Sequence, residues 1–107
     1  MKQLRKTKIV ATIGPSSSDL KTLKQMIAAG LNVARLNFSH GSHDDHKKVI
    51  QNIRLACEEL GEQVSVLQDL QGPKVRVGKF EKGSIHLVEG EEVLLTTRDI
   101  VGSDKII

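Results

Sequence analysis

Arg35, Asn37 and Ser39 recur at a spacing of two within NVARLNFSHG (Asn32–Gly41), a stretch otherwise filled by Val33, Ala34, Leu36 and Phe38. Residues two apart in an extended chain share a face, so this spacing predicts a guanidinium, an amide and a hydroxyl in one row. Such a row suits a phosphorylated, oxygen-rich ligand: Arg forks onto phosphate, while Asn and Ser supply neutral donors and acceptors. The apolar residues between them predict an interior strand, where polar groups need partners. A plainer reading is a paired core arginine, with Asn37 and Ser39 opening a turn.

A second polar cluster, DLQGPKVRVG (Asp69–Gly78), sets the Asp69 carboxylate before Gly72-Pro73 and the cations Lys74 and Arg76. It could bind a phosphate or a metal–nucleotide, or be a tight turn between domains followed by a solvated charged strand. It is not a phosphate-cradling loop of the G-x-x-x-x-G-K kind, because that spacing is missing. His40, His43 and His46 follow an H-x-x-H-x-x-H spacing, and His43 and His46 would share a helix face. A zinc site there has no obvious fourth ligand, so these histidines read as exposed residues at a helix start. Cys57 falls on an apolar helical stripe and reads as a small core hydrophobe, not a nucleophile.

The elements that must position these groups follow from punctuation and period. KIVATI (Lys8–Ile13) predicts a buried strand ended by Gly14-Pro15. Ser16, Ser17 and Ser18 offer N-caps to a helix from about Asp19 to Ala29, with Leu20, Leu23, Met26 and Ile27 on one face. Gly30 suits the left-handed residue that ends it. The second strand should end near Phe38. Ser42 with Asp45 resembles a capping box before a second helix, from about His43 to Leu60, which Gly61 terminates. Val64–Leu67 predicts a third buried strand. Strand–helix–strand–helix–strand implies parallel pairing with right-handed crossovers. In such folds ligands gather at the carboxyl ends of the strands, here Thr12–Pro15, Asn37–Gly41 and Asp69–Arg76. Past Pro73 the period changes: Val75 and Val77, then Ile85 and Leu87, alternate with polar residues, with turn-like breaks at Glu81-Lys82-Gly83 and Glu89-Gly90-Glu91. This pattern predicts short antiparallel strands and a domain boundary near Gly72.

Composition narrows the function classes. A charged fraction of 27% with a hydrophobic fraction of 38% is that of a folded chain, and an aromatic fraction of 2% leaves the core to Ile, Leu, Val and Ala. A length of 107 residues allows one small core. There is no apolar run of about 18 residues to span a membrane, and the basic start MKQLRKTKIV lacks the apolar stretch of a secretory signal. A single cysteine allows no internal disulfide and fits a reducing cytoplasm. The net charge of +3 is spread along the chain without interleaved aromatics, which argues against a nucleic-acid surface.

Together KTKIVATIGPSS (Lys6–Ser17), NVARLNFSHG (Asn32–Gly41) and DLQGPKVRVG (Asp69–Gly78) resemble, in order and spacing, the amino-terminal part of the pyruvate kinases. The resemblance covers the whole chain. It implies an α/β fold: residues 1–72 as the opening β-α-β-α-β portion of a (β/α)8 TIM barrel, and residues 73–107 as the first strands of an inserted small β-barrel that closes as a lid. It implies phosphoryl transfer from phosphoenolpyruvate to ADP, giving pyruvate and ATP. Under it Arg35 binds the transferring phosphate, and Asn37, His40 and Arg76 contact the nucleotide. Asn37, Ser39, the Asp69 carboxylate and the Leu70 carbonyl would hold a monovalent cation. The magnesium-binding acids and the acid–base lysine of the family belong to later strands, so the Mg2+ ligands are expected outside these residues. The complete enzymes resemble cytoplasmic homotetramers.

Two departures shape the expectations. Many family members read DTKGPEIR where this chain reads DLQGPKVR, with Leu70, Gln71 and Lys74 in place of Thr, Lys and Glu. That resembles the potassium-independent branch, and it implies that the Lys74 ammonium supplies the charge a potassium ion otherwise brings. Three of eight strands cannot close a barrel, so the isolated chain is expected to be inactive and to self-associate through open sheet edges. The alternative function is a non-catalytic module that binds a phosphate ligand.

Overall fold

The computed structural model describes residues 5–107. They form two compact units that divide between Gly72 and Pro73.

The first unit runs β1 (Ile9–Thr12), α1 (Leu20–Ala29), β2 (Leu31–Asn37), α2 (His43–Leu60) and β3 (Ser65–Asp69). The three strands form one sheet in the order β1-β2-β3, and both pairs are parallel. Both helices have the boundaries their residues dictate. Asp19, not one of the three preceding serines, caps α1 by accepting the Thr22 N–H at 2.9 Å, because a carboxylate is the stronger acceptor at a helix start. At Gly30 the backbone turns left-handed (φ 115°), where a side chain would be strained, and its N–H reaches back to Met26 and Ile27. Ser42 and Asp45 form the full reciprocal capping box of α2, and Gly61 ends that helix at φ 61°.

Register sorts the sheet into two faces. Pairing of Thr12 with Arg35, Arg35 with Leu67 and Asn37 with Asp69 puts these residues, with Val10 and Val33, on one side. Ala34 and Leu36 turn the other way into a core with Ile13, Leu23, Ile27 and Ile53, against which Cys57 packs. β1 was expected to be buried, yet Val10 is 55% exposed and Leu67 of β3 44% exposed. The reason is that α1 and α2 cover one face only. The third strand starts one residue later than expected, at Ser65, and runs on to Asp69, within the polar stretch where it was expected to end. Where β1 meets the start of β2 the register slips between Ile9 and Val10, and the Asn32 side chain accepts the Ile9 N–H at 2.9 Å in place of a ladder bond.

The second unit, Pro73–Ile107, departs from expectation. Among the described residues it has turns but no regular strand, and its two isolated bridges, Phe80 with Gly102 and Leu94 with Ile106, are parallel, not antiparallel. Gly83 and Gly90 do turn left-handed at the two expected breaks. The alternating apolar residues gain little burial: Val75, Val77 and Leu87 are all exposed. Without burial on one side, a two-residue pairing does not offset the entropy of a longer ladder.

Candidate active site

Arg35 lies one residue pair from the end of β2, so its side chain sits level with the exit of β1 and just below that of β3. Its Nε and Nη2 both donate to Asp69 Oδ2, at 2.9 and 2.5 Å, and its Nη1 donates to Thr12 Oγ1 at 2.9 Å. One guanidinium thus ties together the carboxyl ends of all three strands. The pair is partly solvated, with side chains 32% and 45% exposed, so it orients more than it stabilises: an ion pair this open is worth about 0–1 kcal/mol. Three of the five guanidinium N–H groups are used, leaving about two for an anionic ligand.

The segment after β2 is fixed by its own polar groups. Asn37 Oδ1 accepts the Ser39 N–H at 3.1 Å, the Asn37 carbonyl accepts the His40 N–H at 3.2 Å, and the Asp69 carbonyl accepts the Phe38 N–H at 3.0 Å. Ser39 therefore lies in a turn beyond the strand, and the row of three polar side chains ends at Asn37. The first carboxyl end is similarly closed: the Ser17 hydroxyl accepts the Gly14 N–H at 3.0 Å, and Asn52 of α2 donates to the Ser18 carbonyl at 3.0 Å.

Asn37, Ser39 and Asp69 offer oxygen donors only, the donor type that suits a hard cation and not a soft metal. Leu70 follows β3 and is 69% exposed. Lys74 and Arg76 belong to the second unit and are exposed there. The three histidines do not come together: His43 and His46 face the Phe38 ring at centroid distances of 6.1 and 4.1 Å, and His46 Nε2 lies 2.7 Å from the His40 carbonyl. Among the described residues no group of three or more His, Cys, Asp or Glu is placed to hold a metal ion. A cleft of about 390 Å³ lies at the opposite, amino ends of the strands, lined by residues including Arg5, Gly30, Asn32 and Glu62. No helix among the described residues is long and apolar enough to cross a membrane.

Thr12 is the member of this site that residue spacing did not single out. Within KIVATI it reads as one more β-branched strand residue. Only the parallel register, which sets it beside Arg35, reveals its role.

Residues 4–106 match the family model described as the pyruvate kinase barrel domain. A pyruvate kinase of Thermococcus litoralis is 51% identical over 102 residues, covering 95% of this chain and 22% of that protein. One from Bacillus licheniformis is 46% identical over 104 residues, covering 96% and 18%. Among solved structures, that of Cryptosporidium parvum pyruvate kinase superposes with a TM-score of 0.83 at 39% identity, over 95% of this chain and 22% of that one. The chain thus spans about a fifth of the length of the relatives it matches. With that extent of identity and a family model spanning nearly every residue, the chain belongs to the pyruvate kinase family.

Proposed function

We propose that these residues form the opening β-α-β-α-β segment of a (β/α)8 barrel and the first part of an inserted lid domain, in a polypeptide that moves the phosphoryl group of phosphoenolpyruvate to ADP. The observation that carries this reading is the Arg35 guanidinium, held by Asp69 and Thr12 at the carboxyl ends of three adjacent parallel strands with donors to spare. Phosphoryl transfer asks a protein for alignment and charge neutralisation more than for covalent chemistry. A guanidinium fixed before substrate arrives supplies both without reorganising.

In this reading the phosphorus–oxygen bond to the enol breaks, a β-phosphate oxygen of ADP takes the phosphoryl group, and the enolate left behind is protonated to pyruvate. Arg35 binds the transferring phosphate. Asn37, the last residue of β2, and His40, three residues on, contact the nucleotide, as does Arg76 of the second unit. Asn37, Ser39, Asp69 and the Leu70 carbonyl form the monovalent-cation site, or Lys74 supplies that charge instead. Mg2+ would neutralise phosphate charge, held by acids of later strands outside these 107 residues. The complete protein is a cytoplasmic homotetramer in this reading.

A chimera tests it: this chain replaces the matching 102 residues of the Thermococcus litoralis pyruvate kinase. The chimera should turn over phosphoenolpyruvate and ADP. Arg35→Ala should lower its kcat about 10²–10³-fold, the usual loss for a preorganised electrostatic donor. A folded, active chimera indifferent to that substitution would sink the assignment of Arg35.

A further inference from the structure

His46 is not among the groups the reaction uses, yet it makes two contacts with the segment that carries His40. Its ring stacks on Phe38 at 4.1 Å with planes 14° apart. Its Nε2 lies 2.7 Å from the His40 carbonyl, and since a carbonyl only accepts, that nitrogen carries the hydrogen and donates. The side chain that Gly41 lacks would come within 3.4 Å of the same nitrogen, so glycine at φ 73° leaves room for the ring to approach. The imidazole is half-buried and stands on the first turns of α2, which the Ser42–Asp45 box fixes in place. The His40 N–H is meanwhile taken by the Asn37 carbonyl at 3.2 Å.

We infer that His46 is a positioning residue for His40: ring stacking on Phe38 and the Nε2–H bond to the His40 carbonyl hold the exit of β2 in the conformation that presents His40 and Asn37 to the nucleotide. Both backbone groups of His40 are thereby engaged, its N–H by the strand end and its carbonyl by the helix, so the direction in which its side chain leaves is set before ligand binds. The inference rests on the reading of His40 as a nucleotide contact. Phosphoenolpyruvate, bound through Arg35, does not depend on it.

Two substitutions separate the contacts. His46→Phe keeps a flat ring for Phe38 and removes the donor. His46→Gln keeps an N–H donor and removes the ring. In ¹⁵N spectra of the full chain, the His46 ring should carry its hydrogen on Nε2. The amide signals of Ser39–Gly41 should shift in His46→Phe and largely return in His46→Gln. In the chimera described above, His46→Phe should raise KM for ADP about fivefold, the loss expected for one ordinary hydrogen bond, with KM for phosphoenolpyruvate and Tm nearly unchanged. His46→Gln should recover most of that loss. A ring hydrogen on Nδ1, or an unchanged KM for ADP in an active His46→Phe chimera, overturns the inference. If the chimera is inactive with His46 in place, the pyruvate kinase reading fails, and the spectra still decide whether His46 holds the segment.

Discussion

Arg35 has its Nε, Nη1 and Nη2 engaged by neighbours on two different strands, so its placement comes from the fold and not from a ligand. Lys74 is the residue where this chain's chemistry departs furthest from the commoner family pattern. Under the proposed function, an ammonium there, five positions after Asp69 in the sequence, would supply the positive charge of the cation site. A bound potassium ion would bring the same charge at the expense of collecting ligands. In the chimera, turnover should therefore not depend on potassium, and Lys74→Glu should make it rise severalfold on potassium addition. A potassium-free rate far below the potassium-replete rate for the unsubstituted chain would reject Lys74 as the substitute. Of this site, Arg35, Asn37 and Asp69 were legible because polar groups interrupting an apolar run must have a purpose or a partner. Thr12 was not legible, since its partner is set by a register that pairs residues 23 apart, which no local pattern encodes.

At the scale of elements, the two helices and β2 follow directly from caps and periods, because each signal there is local: a side chain three residues from the amide it caps, a glycine at a left-handed stop. β1 and the second unit were harder to read. Whether an apolar strand is buried depends on what covers its second face, and whether alternating residues pair depends on a partner elsewhere in the chain. The helix starts also carry a pH dependence. The Ser42 hydroxyl and then the Ser42 backbone N–H hydrogen-bond to the Asp45 carboxylate and hold it below its usual 3.8. The Thr22 backbone N–H does the same for Asp19. A carboxylate whose folded pKa is depressed stabilises fully above the unfolded value and loses that contribution as pH falls through the folded one. Stability from these caps should thus be flat at neutral pH and decline only below about pH 4. Thermal melts of Asp45→Asn should show a lower Tm than the unsubstituted chain at neutral pH, and the gap should close on acidification. A constant gap down through the carboxylate range would show that the capping charge contributes nothing. Ser42→Ala removes the N-cap itself and should cost ~1 kcal/mol at neutral pH.

At the scale of the molecule, the sheet of the first unit is finished on one face and open on the other. β1 and β3 each pair only with β2, so among the described residues each has an unpaired edge. Beside those edges Val10, Leu67 and Leu70 stand 55%, 44% and 69% exposed. An open edge next to apolar side chains recruits another strand or another copy. In a closed barrel the neighbouring strands would supply that cover and also the later residues that complete the reaction. The 107 residues by themselves should therefore associate, in a concentration-dependent way, and show no pyruvate kinase turnover above background. Sedimentation across a concentration series, run beside a coupled assay, checks both. Replacing Val10 and Leu67 together by lysine should shift the population toward monomer, because like charges facing across that surface repel. A single monomeric species at every concentration would mean that the open face is tolerated in water. Turnover by that monomer would mean that three strands suffice for the chemistry, against the expectation that the electrostatics of the transfer are assembled from several.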